Sequence, residues 1–278
     1  MGTAASSATR AFQILELFEQ ERRPLSLKII ASSLDFPSSS AAALLKRLAD
    51  FDYLHYDVRS RTYLPTLRVN SLGAWIPAAI FDGGLDRLVA NLRESIGETI
   101  VIAVQNELLL DFPYTENGPK YAGQFAPIER YPRGRAAVKS PLGWQLMTEF
   151  DRHQLERVYL RSAARSLVDK SELPLAAFLS RVAEARRARF LLTLNWPVEE
   201  ISVLTVALPV RPFGQRMAMG VSVDFLRIRS DLERVLRVID SELQGLPQLP
   251  GPELRPIRRL TILDDRSGET LPVSQLAD

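Results

Sequence analysis

The chain contains no cysteine. Disulfides, thiolate nucleophiles and cysteine-ligated metal sites are therefore excluded, and a reducing compartment is the simplest setting. Histidine is almost as scarce, with only His55 and His153 among 278 residues. Two isolated histidines supply neither a metal site nor a Ser-His-Asp arrangement. Long apolar runs are missing too, since no stretch reaches the roughly 18 uninterrupted apolar residues of a membrane helix. The opening segment, Met1 to Thr9, is small and polar and lacks the basic stretch and apolar core of a secretion signal. There is also no excess of charge of one sign. A formal net charge of +2 gives no general affinity for polyanions, so any nucleic-acid surface must be local. Paired carboxylates are few. Glu199-Glu200 and Asp264-Asp265 are sequence neighbours, which in extended chain point to opposite sides and form no acid–base dyad. These absences predict a cytoplasmic protein that is not an enzyme, holds no metal or cofactor and makes no membrane contact.

What is present predicts two domains. Apolar residues at 46% are enough to build buried cores in a chain of this length. The first block spans residues 9–72. Thr9 caps a helix with Phe12, Ile14, Leu15, Leu17 and Phe18 clustered on one side, and Pro24 interrupts it. Leu27, Ile30, Ala31 and Leu34 mark a second short helix beginning at Ser26, broken by Asp35-Phe36-Pro37. A third helix starts in Ser38-Ser39-Ser40, a run of N-cap residue types, and carries Ala41, Leu44, Leu45 and Leu48 inward. Tyr53 to Tyr56 and Thr62 to Leu64 then read as a hairpin whose tip is Asp57-Val58-Arg59-Ser60-Arg61. Three helices and a basic-tipped hairpin make a winged helix-turn-helix plan.

Thr66 to Phe81 reads as a connecting helix, so that residues 73–84 link the two domains. Residues 85–245 alternate differently. Leu85, Leu88, Val89, Leu92 and Ile96 predict an amphipathic helix stopped by Gly97. Thr99 to Gln105 and Leu108 to Tyr114 flank a turn at Asn106-Glu107, and Asn117 to Arg135 reads mainly as loop. Ser140-Pro141 opens a helix with proline at its first position. Further helices fit Asp151 to Leu160 and Leu175 to Ala188, and strands fit Phe190 to Asn195, Val203 to Arg211 and Arg216 to Phe225. Ser230 and Glu233 predict a capping box for a helix over Asp231 to Gln244. This order implies an α+β domain with an antiparallel sheet and flanking helices. Residues 246–278 are Pro-rich and weakly periodic, and are expected to be a tail, mostly extended or disordered, in which Leu260-Thr261-Ile262-Leu263 could dock as one short strand.

Several of these stretches resemble a known family. Arg10-Ala11-Phe12-Gln13-Ile14-Leu15-Glu16-Leu17-Phe18, Pro24-Leu25-Ser26-Leu27, Pro37-Ser38-Ser39-Ser40 and Tyr63-Leu64-Pro65-Thr66-Leu67-Arg68 resemble the DNA-binding domain of IclR-type (isocitrate lyase regulator) transcription factors. More loosely, Ser140-Pro141-Leu142-Gly143, Val206-Ala207-Leu208-Pro209-Val210 and Gly220-Val221-Ser222-Val223-Asp224 are similar to parts of that family's GAF-like effector domain. The resemblance implies homodimers or tetramers and an effector bound in the C-terminal domain. The chain departs from the family pattern at Asp35-Phe36, where a glycine is usual, at Thr205, where a cysteine is common, and at Asp224, where a serine is usual.

Two candidate sites follow. Ser38, Ser39 and Ser40 at a helix start, Lys46 and Arg47 farther along it, and Arg59 and Arg61 on the wing form a candidate surface for a double-stranded DNA operator, with no acid between Ser38 and Leu48. By spacing alone the serines serve equally well as a cap and the cations as a solvated face. For the effector, Ser140 and Gly143 would offer N–H donors at a helix start, while Asn195, Thr205, Ser222 and Asp224 would add polar groups from strands. They would otherwise be a cap and ordinary strand polars. The expected function is a ligand-responsive, sequence-specific DNA-binding regulator whose effector is a small organic acid, aromatic or hydroxylated. The alternative is a winged-helix protein whose C-terminal domain only oligomerises, with an enzyme acting on a small acid a more distant third.

Overall fold

The structure, a computed structural model, describes residues 7–73, 84–118, 135–196, 201–211, 214–246 and 258–272, with only the backbone described at 224–229. The chain divides into two compact units, residues 1–82 and 83–278.

In the first unit, α1 (Ser7–Glu21) buries Ile14, Leu17 and Phe18. A two-residue strand, β1 (Leu25–Ser26), leads into α2 (Leu27–Ser33), where the Ser26 hydroxyl accepts from the Ile29 N–H at 3.4 Å. The turn before the next helix is closed by the Phe36 N–H donating to the Ala31 carbonyl at 2.9 Å. Asp35 adopts the left-handed conformation there, at φ 53°, which aspartate tolerates better than most residues. That tolerance explains how the turn forms without glycine. α3 (Ser38–Asp50) follows, then the hairpin of β2 (Leu54–Asp57) and β3 (Thr62–Pro65), and α4 (Leu67–Gly73). The remainder of the connecting helix expected to Phe81 lies outside the described residues. The sheet order is β1-β3-β2, all antiparallel. Ile14, Leu17, Phe18, Leu25, Ile30, Leu45 and Leu54 form the core. β1 was not expected, because two residues carry no period. The three serines correct a second expectation. Pro37 holds the N-cap position and its carbonyl accepts from the Ala41 N–H at 3.0 Å, so the serines form the first turn instead.

The second unit is α+β, as its element order predicts. Its elements are α5 (Gly84–Ile96), β4 (Thr99–Asn106), β5 (Leu109–Glu116), β6 (Arg135–Ala136), a 3₁₀ turn (Ala137–Lys139) and α6 (Pro141–Leu146). Then come α7 (Arg152–Ala164), α8 (Leu175–Arg187), β7 (Ala188–Leu194), β8 (Ile201–Ala207), β9 (Met217–Asp224), α9 (Phe225–Gln244), β10 (Arg258–Asp264) and β11 (Thr270–Leu271). The sheet runs β11-β10-β7-β8-β9-β4-β5-β6 and is antiparallel except between β10 and β7. Alternation sends Val101, Leu191, Ala218 and Leu263 to one face, under Leu142, Trp144, Tyr159, Phe178 and Val182 of α6 to α8. Ile100, Ile102, Leu192, Leu204 and Val221 point the other way and are buried too. On that side α5 and α9 pack against each other and against β4 and β9. The result is a sheet between two helical layers.

Two further expectations are corrected here. α9 continues directly from β9, so Ser230 lies within the helix and Ser230 with Glu233 is no capping box. The segment after Gly245 is not simply an extended tail: residues 258–264 pair with β7 in a six-pair parallel ladder, with Thr261, Ile262 and Leu263 buried. The prolines preclude helix but leave a β-prone apolar run free to cover an open sheet edge.

α6 is only six residues long, and its placement depends on Gly143. A Cβ at that position would overlap the Ala137 carbonyl oxygen, so no larger residue lets the helix sit on the 3₁₀ turn. Arginines hold its other end: Arg186 donates to the Thr148 and Phe150 carbonyls at 2.7 and 2.8 Å, and Arg216 to the Leu146 carbonyl and, at 2.9 Å, to the Thr148 hydroxyl. Gly143→Ala should therefore destabilise the second unit by about 1–3 kcal/mol through overpacking, read as a lower midpoint in denaturant unfolding. Ile262→Ala should cost about 2 kcal/mol or more, and truncation after Leu246 should lower the thermal midpoint markedly; an unchanged midpoint would show that β10 adds nothing to the fold.

Candidate nucleic-acid interface and candidate effector site

α3 buries Ala41 and Leu45 and turns Ser39, Ala43, Lys46 and Asp50 outward. Those four are spaced at i, i+4, i+7 and i+11, so they form one solvent-facing stripe. Arg47 is exposed beside the stripe, as is Ser38 at the helix start, while Ser40 is half-buried. Ala43 was not singled out from sequence, because a small apolar residue in a helix looks like core until the buried face is known. On the wing, Arg59 and Arg61 are exposed and Arg61 sits at φ 55°. Asp57 organises that tip, accepting from the Arg59 N–H at 2.9 Å and the Ser60 hydroxyl at 2.7 Å. The Ser60 hydroxyl, with the Arg59 amide behind it, holds the Asp57 carboxyl below the usual carboxylate range. The turn thus keeps its charged acceptor at any pH near neutrality and loses it only as pH falls through that lowered value.

In the second unit, cross-strand register places Thr99, Ser222, Val203, Thr193 and Leu263 in one row, and Val101, Gly220, Thr205, Leu191 and Thr261 in the next. Both rows belong to the face under α6 to α8. The hydroxyls of Ser140 and Thr193 are fully buried and have no partner among the described residues. Trp196 donates to the Lys139 carbonyl at 3.1 Å, which brings Ser140 to the same end of the sheet as Thr193. Thr99 lies at the other side of that row, its hydroxyl accepting from the Gly118 N–H at 3.1 Å.

Of the residues expected at the effector site, Ser140, Thr205 and Ser222 are buried on or beside this face. Gly143 is there for close packing on Ala137, and Ser140, although it occupies the N-cap position, makes no side-chain capping bond. The Thr205 hydroxyl donates to the Leu191 carbonyl at 3.2 Å, and its own carbonyl receives Gln145 at 3.3 Å. Asn195, at φ 55°, donates to Asp264 at 2.9 Å. Asp224 ends β9 opposite Ile201, and its side chain lies outside the description. Thr193 was missed because strand register with β8 and β10 is not legible from local sequence.

The β10–β11 turn adds a charged corner to this end of the sheet. Partial desolvation would by itself raise the Asp264 carboxyl, but hydrogen bonds from Asn195 and Ser267 outweigh it and hold the group low. Asp265 goes the other way: burial pushes its carboxyl up, against the pull of the Arg181 guanidinium. Arg181 pairs with Asp265 at 3.0 Å and lies 4.9 Å over the Trp144 ring. His55 and His153 are exposed, in β2 and α7, and His153 meets Arg157 at 3.0 Å. Among the described residues no cluster of His, Asp and Glu could hold a metal ion, and no helix is long and apolar enough to cross a membrane.

Comparison with known proteins bears on the fold. Residues 7–58 match the IclR helix-turn-helix domain family. No curated protein matches the chain. Among solved structures, an IclR transcriptional regulator from Alicyclobacillus acidocaldarius superposes with a TM-score of 0.67 at 17% identity, over 87% of this chain and 97% of that one. A putative IclR regulator from Silicibacter sp. TM1040 gives 0.65 at 16% identity, over 89% and 99%. An IclR homologue from Microbacterium hydrocarbonoxydans, solved with 4-hydroxybenzoate, gives 0.65 at 16% identity, over 86% and 97%. At such identities the structures establish likeness of fold. Residues 7–58 therefore match the helix-turn-helix domain of the IclR family, and over most of its length the chain shares the fold of the IclR-type transcriptional regulators.

Proposed function

We propose that the protein is a ligand-responsive, sequence-specific DNA-binding regulator. The observation that carries this reading is the outward stripe of α3, a serine, a small residue and a lysine flanked by Arg47, with Asp50 only at its last position, on a helix-turn-helix domain that matches the IclR family. α3 enters the major groove; Lys46 and Arg47 contact phosphate or base edges, Ser38, Ser39 and Ser40 meet the backbone, and Arg59 and Arg61 on the wing reach the adjacent backbone or minor groove. A homodimer or tetramer presents two or more such domains to half-sites about one helical turn, or a multiple, apart.

The effector is a small organic acid bound by the second unit, where Ser140, Ser222 and Thr193, with Asp224 at the end of β9, supply polar groups. Buried hydroxyls without partners favour this, since such groups are costly unless a ligand or water satisfies them. The related fold solved with 4-hydroxybenzoate supports an aromatic, hydroxylated acid.

Lys46→Ala, Arg47→Ala, Arg59→Ala and Arg61→Ala should each weaken binding to a duplex selected from random sequence, with thermal midpoints unchanged because all four side chains are exposed. A phosphate contact should lower the salt slope by about one unit, and a base-reading arginine should relax specificity at one position. Four wild-type titration curves would place the DNA face elsewhere. Asp57→Ala should loosen the wing and weaken the same complex, an effect to be read by the same titration. For the effector, a melting scan against mono- and dicarboxylic acids should reveal a stabilising ligand, by about 2.7 kcal/mol at a hundredfold excess over Kd. A wide panel with no hit, beside intact DNA binding, would leave the second unit an oligomerisation module.

A further inference from the structure

We infer that Arg181 is the carboxylate-reading residue of the second unit, and that Asp265 is a built-in competitor that an acidic effector displaces. The inference rests on the effector reading above and names how that site is regulated.

Arg181 projects from α8 over the fully buried Trp144, its guanidinium 4.9 Å from the ring centroid. An arginine stacked on an indole keeps its plane fixed and its fork pre-organised for a planar anion. What it now holds is an imperfect anion. One terminal nitrogen meets the Asp265 carboxylate at 3.0 Å and the other donates to the Asp265 backbone carbonyl at 3.3 Å. The Nε–H is buried and has no acceptor among the described residues, and the facing Asp265 Oδ1 makes no well-aligned hydrogen bond. In place of the two-bond fork that arginine forms with a free carboxylate there is a charge contact and a bond to a backbone carbonyl. A ligand carboxylate is not tethered to a strand, so it can turn to meet both Nε–H and a terminal N–H.

The charged neighbours are mostly cationic, although burial outweighs them and raises the Asp265 carboxyl. Lys139 and Arg135 act on Asp265 along with Arg181, against the single carboxylate of Asp264. Asp264 is already committed, accepting from Asn195 at 2.9 Å and from the Ser267 amide at 3.2 Å. Arg135 is itself stacked 4.5 Å from the Trp196 ring, and Trp196 ties down the Lys139 carbonyl. Lys139 immediately precedes Ser140, whose buried hydroxyl lacks a partner among the described residues, and Thr193 lies one residue before Leu194, whose carbonyl accepts from the Asp265 N–H at 3.2 Å. A carboxylate on Arg181 would therefore leave the rest of a small ligand facing the buried hydroxyls. The competitor sits where β10 gives way to the turn into the two-residue edge strand β11, and its release gives up the Arg181 pair and the Asp265 N–H bond to Leu194.

The test uses the full-length protein and 4-hydroxybenzoate as probe, titrated calorimetrically, with benzoate as a second carboxylate. Asp265→Asn removes the competing charge and should raise affinity about tenfold, the equivalent of one charge-assisted hydrogen bond. Arg181→Lys keeps the charge and the packing stem but loses the fork, and should reduce affinity by a similar factor. In wild type, saturating 4-hydroxybenzoate should speed amide hydrogen exchange in residues 264–271 and leave α9 unaffected. Binding that is the same in wild type, Asp265→Asn and Arg181→Lys would overturn this inference while the effector reading stands. So would slower or unchanged exchange in the turn on binding. If neither carboxylate binds even Asp265→Asn, Arg181 reads no carboxylate, and the effector reading then rests on the wider ligand panel. A lower thermal midpoint in Asp265→Asn with unchanged affinity would reduce the pair to a strand anchor.

Discussion

The seating of Gly143 on the backbone of Ala137 governs the geometry of the second unit. With no side chain at that point, α6 lies flat across β8, β9 and β4, and Leu142 comes to rest against Gly220. Trp144 is then driven fully into the core, where its Nε1–H finds the Val138 carbonyl at 2.8 Å. Gln145 reaches the Thr205 carbonyl, and Ser140 is left at the edge of the interface with its hydroxyl buried. Arg186, Arg211 and Arg216 gather around residues 146–150 and fix the far end. A helix of this length has little intrinsic stability. It exists because both ends are tied, and the polar groups beneath it inherit positions that no local preference would give them.

The first unit solves a different problem. A domain this small has a slender core, in which a cluster of large buried apolar side chains from Ile14 to Leu54 holds three helices to a short sheet. Its economy lies in the connections. Ser26 both pairs with Thr62 in the sheet and caps α2, so a single residue joins the sheet to the helix-turn-helix. Asp35 takes a backbone conformation normally left to glycine, and Asp57 replaces missing backbone contacts at the wing tip with side-chain acceptors. Because these ties are short range, the exposed face of α3 is free of structural duties, as a surface that meets another molecule requires.

This separation between local and distant constraints decides how much the sequence reveals. Periodicity located the apolar stripes of α1, α2, α3 and α5, and Pro141 after Ser140 marked the start of α6, since each signal is carried within a few residues. The wing was legible because its turn and flanking aromatics are contiguous. Ser230 with Glu233 misled: a cap motif is also compatible with a helix interior when the preceding chain continues the helix. The strand at 258–264 was legible only as an apolar run, as its partner β7 is some seventy residues away and parallel. Thr193 and Arg181 gave no sequence signal. A threonine in an apolar strand and an arginine in an amphipathic helix acquire meaning only through register with β8 and β10 and through the ring beneath the guanidinium.

The placement of β10 also bears on how a ligand could change this unit at all. A sheet covered by helices on both faces is close-packed and transmits small shifts poorly unless some element has two discrete arrangements. Interior strands β8, β9 and β4 are paired on both sides and cannot move singly. Near the edge it is different: β10 is held by its ladder to β7, by only two pairs to the short edge strand β11, by Arg259 with Glu233 and Asp240 near its start, and by Arg181 and Asn195 at its end. Exposed ion pairs such as those of Arg259 contribute little, so the balance rests on the buried Ile262 and Leu263 and on the Arg181 corner. An equilibrium shifts only by the difference in a ligand's affinity for its two states. A ligand that exchanges one carboxylate for another at Arg181 has that difference built into its binding, whereas one that merely fills the space between Ser140 and Ser222 would stabilise the existing state.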